Sequence, residues 1–151
     1  LTPTRVSSLY ATPCFPAGAG PDYVNACAAL TGSLPAGEVL TILHEIEETF
    51  GRQRLQRWGS RTLDLDLLAI GSQVLPDAAV HTAWRDLPAE EQPGATPDQL
   101  ILPHPRLQDR AFVLVPLCDV APDWRHPTLG QTARELCAAL PENARQDVTP
   151  L

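Results

Sequence analysis

Apolar and polar positions alternate roughly along Thr4 to Thr12 (TRVSSLYAT), with β-branched and aromatic residues between polar ones, and Pro13 ends the run. This predicts a strand. Cys14 to Pro21 (CFPAGAGP) reads as a Pro/Gly loop. Tyr23 to Thr31 (YVNACAALT) predicts a second strand, antiparallel to the first across that loop, although its alanines equally suit a helix. The period then changes. Val39, Leu43, Ile46 and Phe50 recur at spacings of four, three and four, behind Pro35 and ahead of Gly51. An amphipathic helix is expected there, with Glu38, Glu45 and Glu48 on its other face. Leu63 to Ile70 (LDLDLLAI) alternates and then turns continuously apolar, which predicts the strongest strand of the chain, one entering a covered sheet.

Beyond it the pattern weakens. Leu75 to Gln99 holds Pro76, Pro88, Pro93 and Pro97, five acids and no sustained period, and is expected to be a long surface loop. Pro103 to Pro105 reads as an extended turn, and Asp109 is the expected cap of a helix running through Leu117. A last helix is expected from about Gln131 to Leu140, with Thr128 or Gly130 near its start and Pro141 after it. No internal repeat or second domain is visible. Residues 1–151 are therefore expected to form a single domain with a loop insertion at about 76–99.

Composition narrows the function classes. At 44% hydrophobic and 19% charged over 151 residues the chain is of globular type, and no apolar run approaches the ~20 residues that span a bilayer. No membrane partner is expected. A net charge of -7 argues against a general polyanion binder, so no nucleic-acid partner is expected either. There is no Met, and the chain opens at Leu1, so residues upstream are expected. Lys is also absent, so all 11 cations are Arg. Cys14, Cys27, Cys118 and Cys137 are far apart, without Cys-x-x-Cys or zinc-finger spacing, and no secretory signal is visible. A cytoplasmic protein with reduced thiols is expected, Cys27 and Cys137 serving as small buried residues.

One segment concentrates the chemistry. Arg52, Arg54, Arg57 and Arg61 give a local +4 in an acidic chain, with Trp58 among them and no acid until Asp64. A dense cation cluster calls for a local anion. Asp64 and Asp66 are two apart on a predicted strand, so their side chains leave one face about 7 Å apart while Leu63, Leu65 and Leu67 face the core. Neighbouring carboxylates repel, and a shared hard cation relieves the repulsion. Magnesium takes one or two carboxylates and fills its octahedron with water and phosphate oxygens, and two such ions can clamp a phosphoryl transfer.

Arg52-x-Arg54…Arg57-Trp58-Gly59-x-Arg61-Thr62-Leu63-Asp64-Leu65-Asp66 resembles the signature of the 6-hydroxymethyl-7,8-dihydropterin pyrophosphokinase family. The similarity extends to Ser8-x-Tyr10-x-Thr12-Pro13, Asp22-Tyr23-x-Asn25-Ala26, Ile46-Glu47…Gly51-Arg52, Pro103-His104-Pro105, Arg110-x-Phe112-Val113-Leu114-x-Pro116-Leu117 and Ala121-Pro122. The resemblance implies an α+β, ferredoxin-like αβα sandwich with a mainly antiparallel sheet. It implies transfer of pyrophosphate from ATP to the pterin hydroxymethyl group, releasing AMP in folate biosynthesis, with two Mg2+ ions. Asp64 and Asp66 would hold the metals, and Arg52 and Arg61 would stand with them at the reacting centre. Glu47, Arg54, Arg57, Trp58, His104 and Arg110 would meet ATP. Thr12, Pro13, Phe15, Tyr23, Asn25, Trp58 and Phe112 would hold the pterin, whose flat ring needs aromatic faces and an amide at its polar edge. The protein would act as a monomer.

Taken without the resemblance, Tyr23 and Phe112 read as core aromatics, His104 as a turn residue and Glu47 equally as a solvated helix position. Trp84 has no counterpart in the family and reads as a surface or lid residue. The family's opening strand, ending in Gly-Ser-Asn, and the helix after it are absent before Thr4, so an N-terminal portion is expected beyond this sequence. The insertion after Leu75 is also longer than the family's pattern. A second hypothesis is a non-catalytic nucleotide- or RNA-binding α+β module using the Arg loop for phosphates. A third is an inactive scaffold.

Overall fold

In the computed structural model, which describes residues 1–13, 21–51, 63–88, 91 and 99–151, the two N-terminal runs form an antiparallel hairpin that is broken part-way. Strand β1 (Thr2–Val6) pairs with β4 (Ala28–Thr31), and β2 (Tyr10–Thr12) pairs with β3 (Tyr23–Asn25). Between the two ladders Ser7 and Cys27 clasp the arms: the Ser7 N–H donates to the Cys27 carbonyl at 2.8 Å, and Ser7 Oγ accepts the Cys27 N–H at 2.8 Å. The register shifts between Pro3 and Arg5, next to a residue with no N–H to give the ladder. The alanines of the second arm are strand, not helix. A short β5 (Thr149–Pro150), not foreseen from the sequence, adds to the other side of β2 and gives the order β3-β2-β5.

Helix α1 (Ala36–Gly51) follows the predicted period. The Pro35 carbonyl accepts the N–H groups of Glu38 and Val39, so proline begins the helix where its missing donor costs nothing. Glu38, Glu45 and Glu48 are exposed as expected; Val39 is buried, while Ile46 and Phe50 at the far end of the stripe remain exposed.

Leu63 to Ile70 keeps the predicted alternation but not the predicted ladder. Leu63, Leu65 and Leu67 are half-buried and Asp64 and Asp66 exposed, yet among the described residues no strand pairs with the segment. A strand exists only where a neighbour supplies N–H and C=O groups in register. Here single bonds hold the chain: the Leu65 N–H donates to Glu47, and the Leu68 carbonyl accepts the His104 N–H.

The expected loop after Leu75 contains a helix, α2 (Ala78–Arg85). The prolines misled because Pro76 stands before the cap and Pro88 after the end. Asp77 caps the helix by accepting the Val80 N–H at 2.8 Å, a Ser/Asp-type signal placed directly ahead of Val80, His81 and Trp84. The segment is also not all surface, since His81 is fully buried. Its neck is closed by Leu75 and Leu102, which exchange both backbone hydrogen bonds.

Arg110, not Asp109, precedes α3 (Ala111–Val120); Asp109 ends a single 3₁₀ turn over Leu107–Asp109. The last predicted helix is shorter than expected: α4 (Ala133–Ala138) starts with a capping box between Thr132 and Glu135, and Pro141 leads into an additional short α5 (Glu142–Gln146). The core lies between α3 and α4, with Leu107, Leu114, Leu117, Val120, Ala133 and Leu136 buried together and Cys27 and Ala29 from the hairpin packed on them. Asp119 on α3 fastens the hairpin by accepting the Tyr10 hydroxyl at 2.6 Å and the Ser8 N–H at 3.3 Å. The result is the expected α+β class with antiparallel pairing.

Candidate functional site

A cavity of about 550 Å³ opens between α1, the Leu63–Ile70 segment, α2 and the turn ahead of α3. Its ionisable lining is His44, Asp66, His104, Arg106 and Arg110, and its apolar lining includes Leu40, Leu67, Trp84, Leu100 and Ile101. Asp66, His104 and Arg110, distant in sequence, thus meet in one place. Burial lowers the His104 pKa, as does the neighbouring Arg110 charge, with Asp66 opposing. Burial also lowers the Arg110 pKa, again with Asp66 opposing, but a guanidinium keeps its charge at any physiological pH. His104 Nδ1 accepts the Arg106 N–H at 3.1 Å, so the neutral ring carries its proton on Nε2 and can donate there.

Glu47 is placed otherwise than as a solvated helix residue. Its Oε2 accepts the Leu65 N–H at 2.7 Å, which fixes the backbone between Asp64 and Asp66 to α1. Asp64 is exposed beside it. Asp64 and Asp66 are both exposed carboxylates, hard oxygen donors of the kind magnesium takes.

Of the expected pterin set, the hairpin gathers three members. Asn25 Nδ2 donates to Thr12 Oγ1 at 2.8 Å, and Tyr23 stands directly opposite Thr12 in the ladder. Thr12 is buried, whereas Pro13 and Tyr23 are exposed. Phe112 is exposed at the start of α3, with the Arg110 guanidinium 5.6 Å from its ring centroid. That cation–π contact couples a residue of the cavity to a residue of the pterin set. Phe15, Arg52, Arg54, Arg57, Trp58 and Arg61 lie outside the described residues.

Sequence reasoning missed His44, Arg106 and Leu40 as lining residues; Trp84, read as a surface or lid residue, lines the cavity. His44 had a signal, standing three residues before Glu47 and so on the same side of α1. Arg106 had none, because the contacts that set it against α2 are tertiary: besides its local bond to Asp109 at 3.0 Å it donates to the Trp84 carbonyl at 3.1 Å and to the Arg85 carbonyl.

The family model of 7,8-dihydro-6-hydroxymethylpterin-pyrophosphokinase matches residues 1–122. The chain belongs to this family. Curated pyrophosphokinase relatives agree. The chain is 40% identical over 146 residues to the 2-amino-4-hydroxy-6-hydroxymethyldihydropteridine pyrophosphokinase of Synechocystis sp., covering 97% of this chain and 64% of that protein. It is 42% identical over 136 residues to the enzyme of that name from Pseudomonas aeruginosa, covering 90% and 71%. It is 32% identical over 120 residues to the one from Bacillus subtilis, covering 80% and 60%. The chain thus spans less than two thirds of the Synechocystis relative it matches. Among the described residues no helix is long and apolar enough to cross a membrane.

Proposed function

We propose that the protein transfers pyrophosphate from ATP to the hydroxymethyl oxygen of 6-hydroxymethyl-7,8-dihydropterin, releasing AMP. In the reaction that oxygen bonds to the β-phosphorus, the bond from the β-phosphorus to the bridging oxygen of the α-phosphate breaks, and the hydroxyl proton passes to solvent. The observation that carries the reading is the cavity in which Asp66 meets His104 and Arg110, beside an Asp64 held in register by Glu47. Relatives named for this reaction support it.

Asp64 and Asp66 are the residues that would hold Mg2+, two ions in this reading. When bound, the metal supplies neutralisation of phosphate charge and polarisation of the transferred group. Arg110 adds fixed positive charge to the same cavity, and His104 Nε2–H offers a neutral donor to a phosphate oxygen. No protein nucleophile is needed, since positioning and charge neutralisation carry most phosphoryl transfers. Arg52, Arg54, Arg57 and Arg61 complete the cation set by their place in the motif. The pterin would lie on Tyr23 and Phe112, with Asn25 and Thr12 at its polar edge and Phe15 and Trp58 completing the ring contacts. In this reading residues 1–151 belong to one catalytic domain, which works in the cytoplasm as a monomer.

The test is product identity. With ATP, Mg2+ and the hydroxymethyl pterin, AMP and the pterin diphosphate are expected in equal amounts. ADP as the nucleotide product would show an ordinary kinase, and no nucleotide turnover would leave the binding-module reading in its place.

A further inference from the structure

Trp84 lies in the segment for which the family resemblance supplies no counterpart, yet it lines the same cavity as Asp66, His104 and Arg110. It is half-buried there, and among the described residues its indole stacks on no other ring. The helix that carries it is fastened on several sides. Asp77 caps its first turn at 2.8 Å, His81 Nε2 bonds the Pro103 carbonyl at 2.9 Å, and Arg85 donates to Thr128 Oγ1 at 3.1 Å. At its C-terminal end Arg106 donates to the Trp84 and Arg85 carbonyls, the former of which also accepts the Leu87 N–H at 3.4 Å. The insertion is therefore a built wall of the cavity, and the indole is arranged before any ligand arrives.

We propose that Trp84 is a specificity-determining residue that stacks on the base of the bound nucleotide. The inference rests on the reading of this cavity as the nucleotide site. A nucleoside triphosphate is amphiphilic, and the cavity offers both parts what they need. Asp66 (through metal), His104 and Arg110 suit phosphates; Trp84, Leu40, Leu100 and Ile101 suit an aromatic base. A volume near 550 Å³ is of the size that small-molecule sites take. The pterin is also a flat ring, but its expected residues Thr12, Tyr23 and Asn25 stand on the hairpin and none of them lines this cavity. An indole face gains most from the larger π-surface, so it favours purine over pyrimidine nucleotides.

Calorimetry of Mg2+ and α,β-methylene-ATP with wild type, W84F, W84L and W84A decides the matter, with CTP and the hydroxymethyl pterin as comparison ligands. W84L is expected to bind the ATP analogue about tenfold more weakly, the ordinary worth of one base–aromatic stack, while W84F stays within about threefold of wild type. The preference over CTP should shrink in W84L, and pterin affinity should not move. Should W84A fail to fold, the W84F and W84L pair, each checked by thermal melting, still carries the comparison. Equal affinity of W84L and wild type for the analogue, or a loss confined to the pterin, overturns the inference. Trp84-dependent nucleotide binding without AMP formation would remove the pyrophosphokinase reading and leave this inference standing. Normal AMP formation with unchanged nucleotide affinity in W84L would do the reverse.

Discussion

The carboxylate of Glu47 accepts the backbone N–H of Leu65 at 2.7 Å, and Leu65 is the residue between Asp64 and Asp66. A helix side chain thereby anchors the backbone between the two aspartates. Because Leu63–Ile70 has no ladder partner among the described residues, this bond replaces part of the restraint a sheet would give. Glu47 is therefore proposed as a positioning residue in place of the expected ATP contact.

Its loss should lower kcat more than it alters substrate affinity. Glu47→Ala removes a charge-assisted bond of about 1.5–3 kcal/mol, and a fall in kcat of about tenfold or more is expected. Glu47→Gln keeps an acceptor and should recover most of the rate. Steady-state kinetics of the two variants check this; a change confined to KM for ATP would instead return Glu47 to direct nucleotide contact.

Asp66→Asn and Asp64→Asn should each abolish AMP formation, since magnesium prefers charged oxygen ligands and both carboxylates would hold it in the proposed reaction. Pterin affinity, measured by calorimetry, should stay within about threefold, because its contacts lie elsewhere. Unchanged turnover in either variant would remove the metal assignment.

Tyr10 and Asp119 join the hairpin to α3 through a 2.6 Å bond. That bond, helped by burial and by the Asp119 charge, raises the Tyr10 pKa to about 12. The raised value favours the protonated form in the folded state, so its contribution is complete below pH 10 and disappears as pH climbs toward 12. Tyr10→Phe should cost about 1–2 kcal/mol in urea unfolding at pH 7, the loss of one hydrogen bond to a carboxylate that keeps the Ser8 N–H. A spectrophotometric titration of wild type should show this tyrosine ionising last.

His81 and His126 are both fully buried, with ring centroids 5.8 Å apart. His126 Nδ1 accepts the Thr128 and Leu129 N–H groups, which requires a neutral ring with its proton on Nε2. Burial above all, then His81 and Arg85, pushes the His126 pKa down to about 4, and burial lowers His81 as well. A base depressed on folding takes up its proton first in the unfolded chain, so stability is full above about pH 6.5 and falls with acid until about pH 4. The loss attributable to His126 is on the order of 3 kcal/mol over that window. Urea midpoints from pH 7.5 to pH 5, above the carboxylate range, should fall in wild type and much less in His126→Asn, whose amide oxygen can accept the same N–H groups. A flat wild-type profile would contradict the assignment.

Much of this was legible before the fold. The apolar period of α1 and the alternation of Leu63 to Ile70 are local; the first survived as a helix buried on its stripe only at Val39 and, in part, Leu43, the second as a burial pattern. The hairpin was legible as two arms, but its break was not, because the Ser7–Cys27 clasp joins residues 20 apart. Helix α2 was hidden by counting prolines without asking on which side of a cap they stand. The Asp-x-Asp pair was visible in the sequence, and so were His104 and Arg110 through the family motif. What no local pattern carries is that Trp84 and Arg106, an insertion helix and the turn that clamps it, finish the wall of the cavity.

The central claim is that Asp64 and Asp66 organise the nucleotide through a divalent ion. Calorimetric titration of the purified protein with α,β-methylene-ATP, once in excess Mg2+ and once in a chelator, tests it most directly. Binding that is strong with Mg2+ and weaker by about a hundredfold in the chelator is predicted, in keeping with charges that repel unless metal intervenes. Equal affinity in both solutions would contradict it.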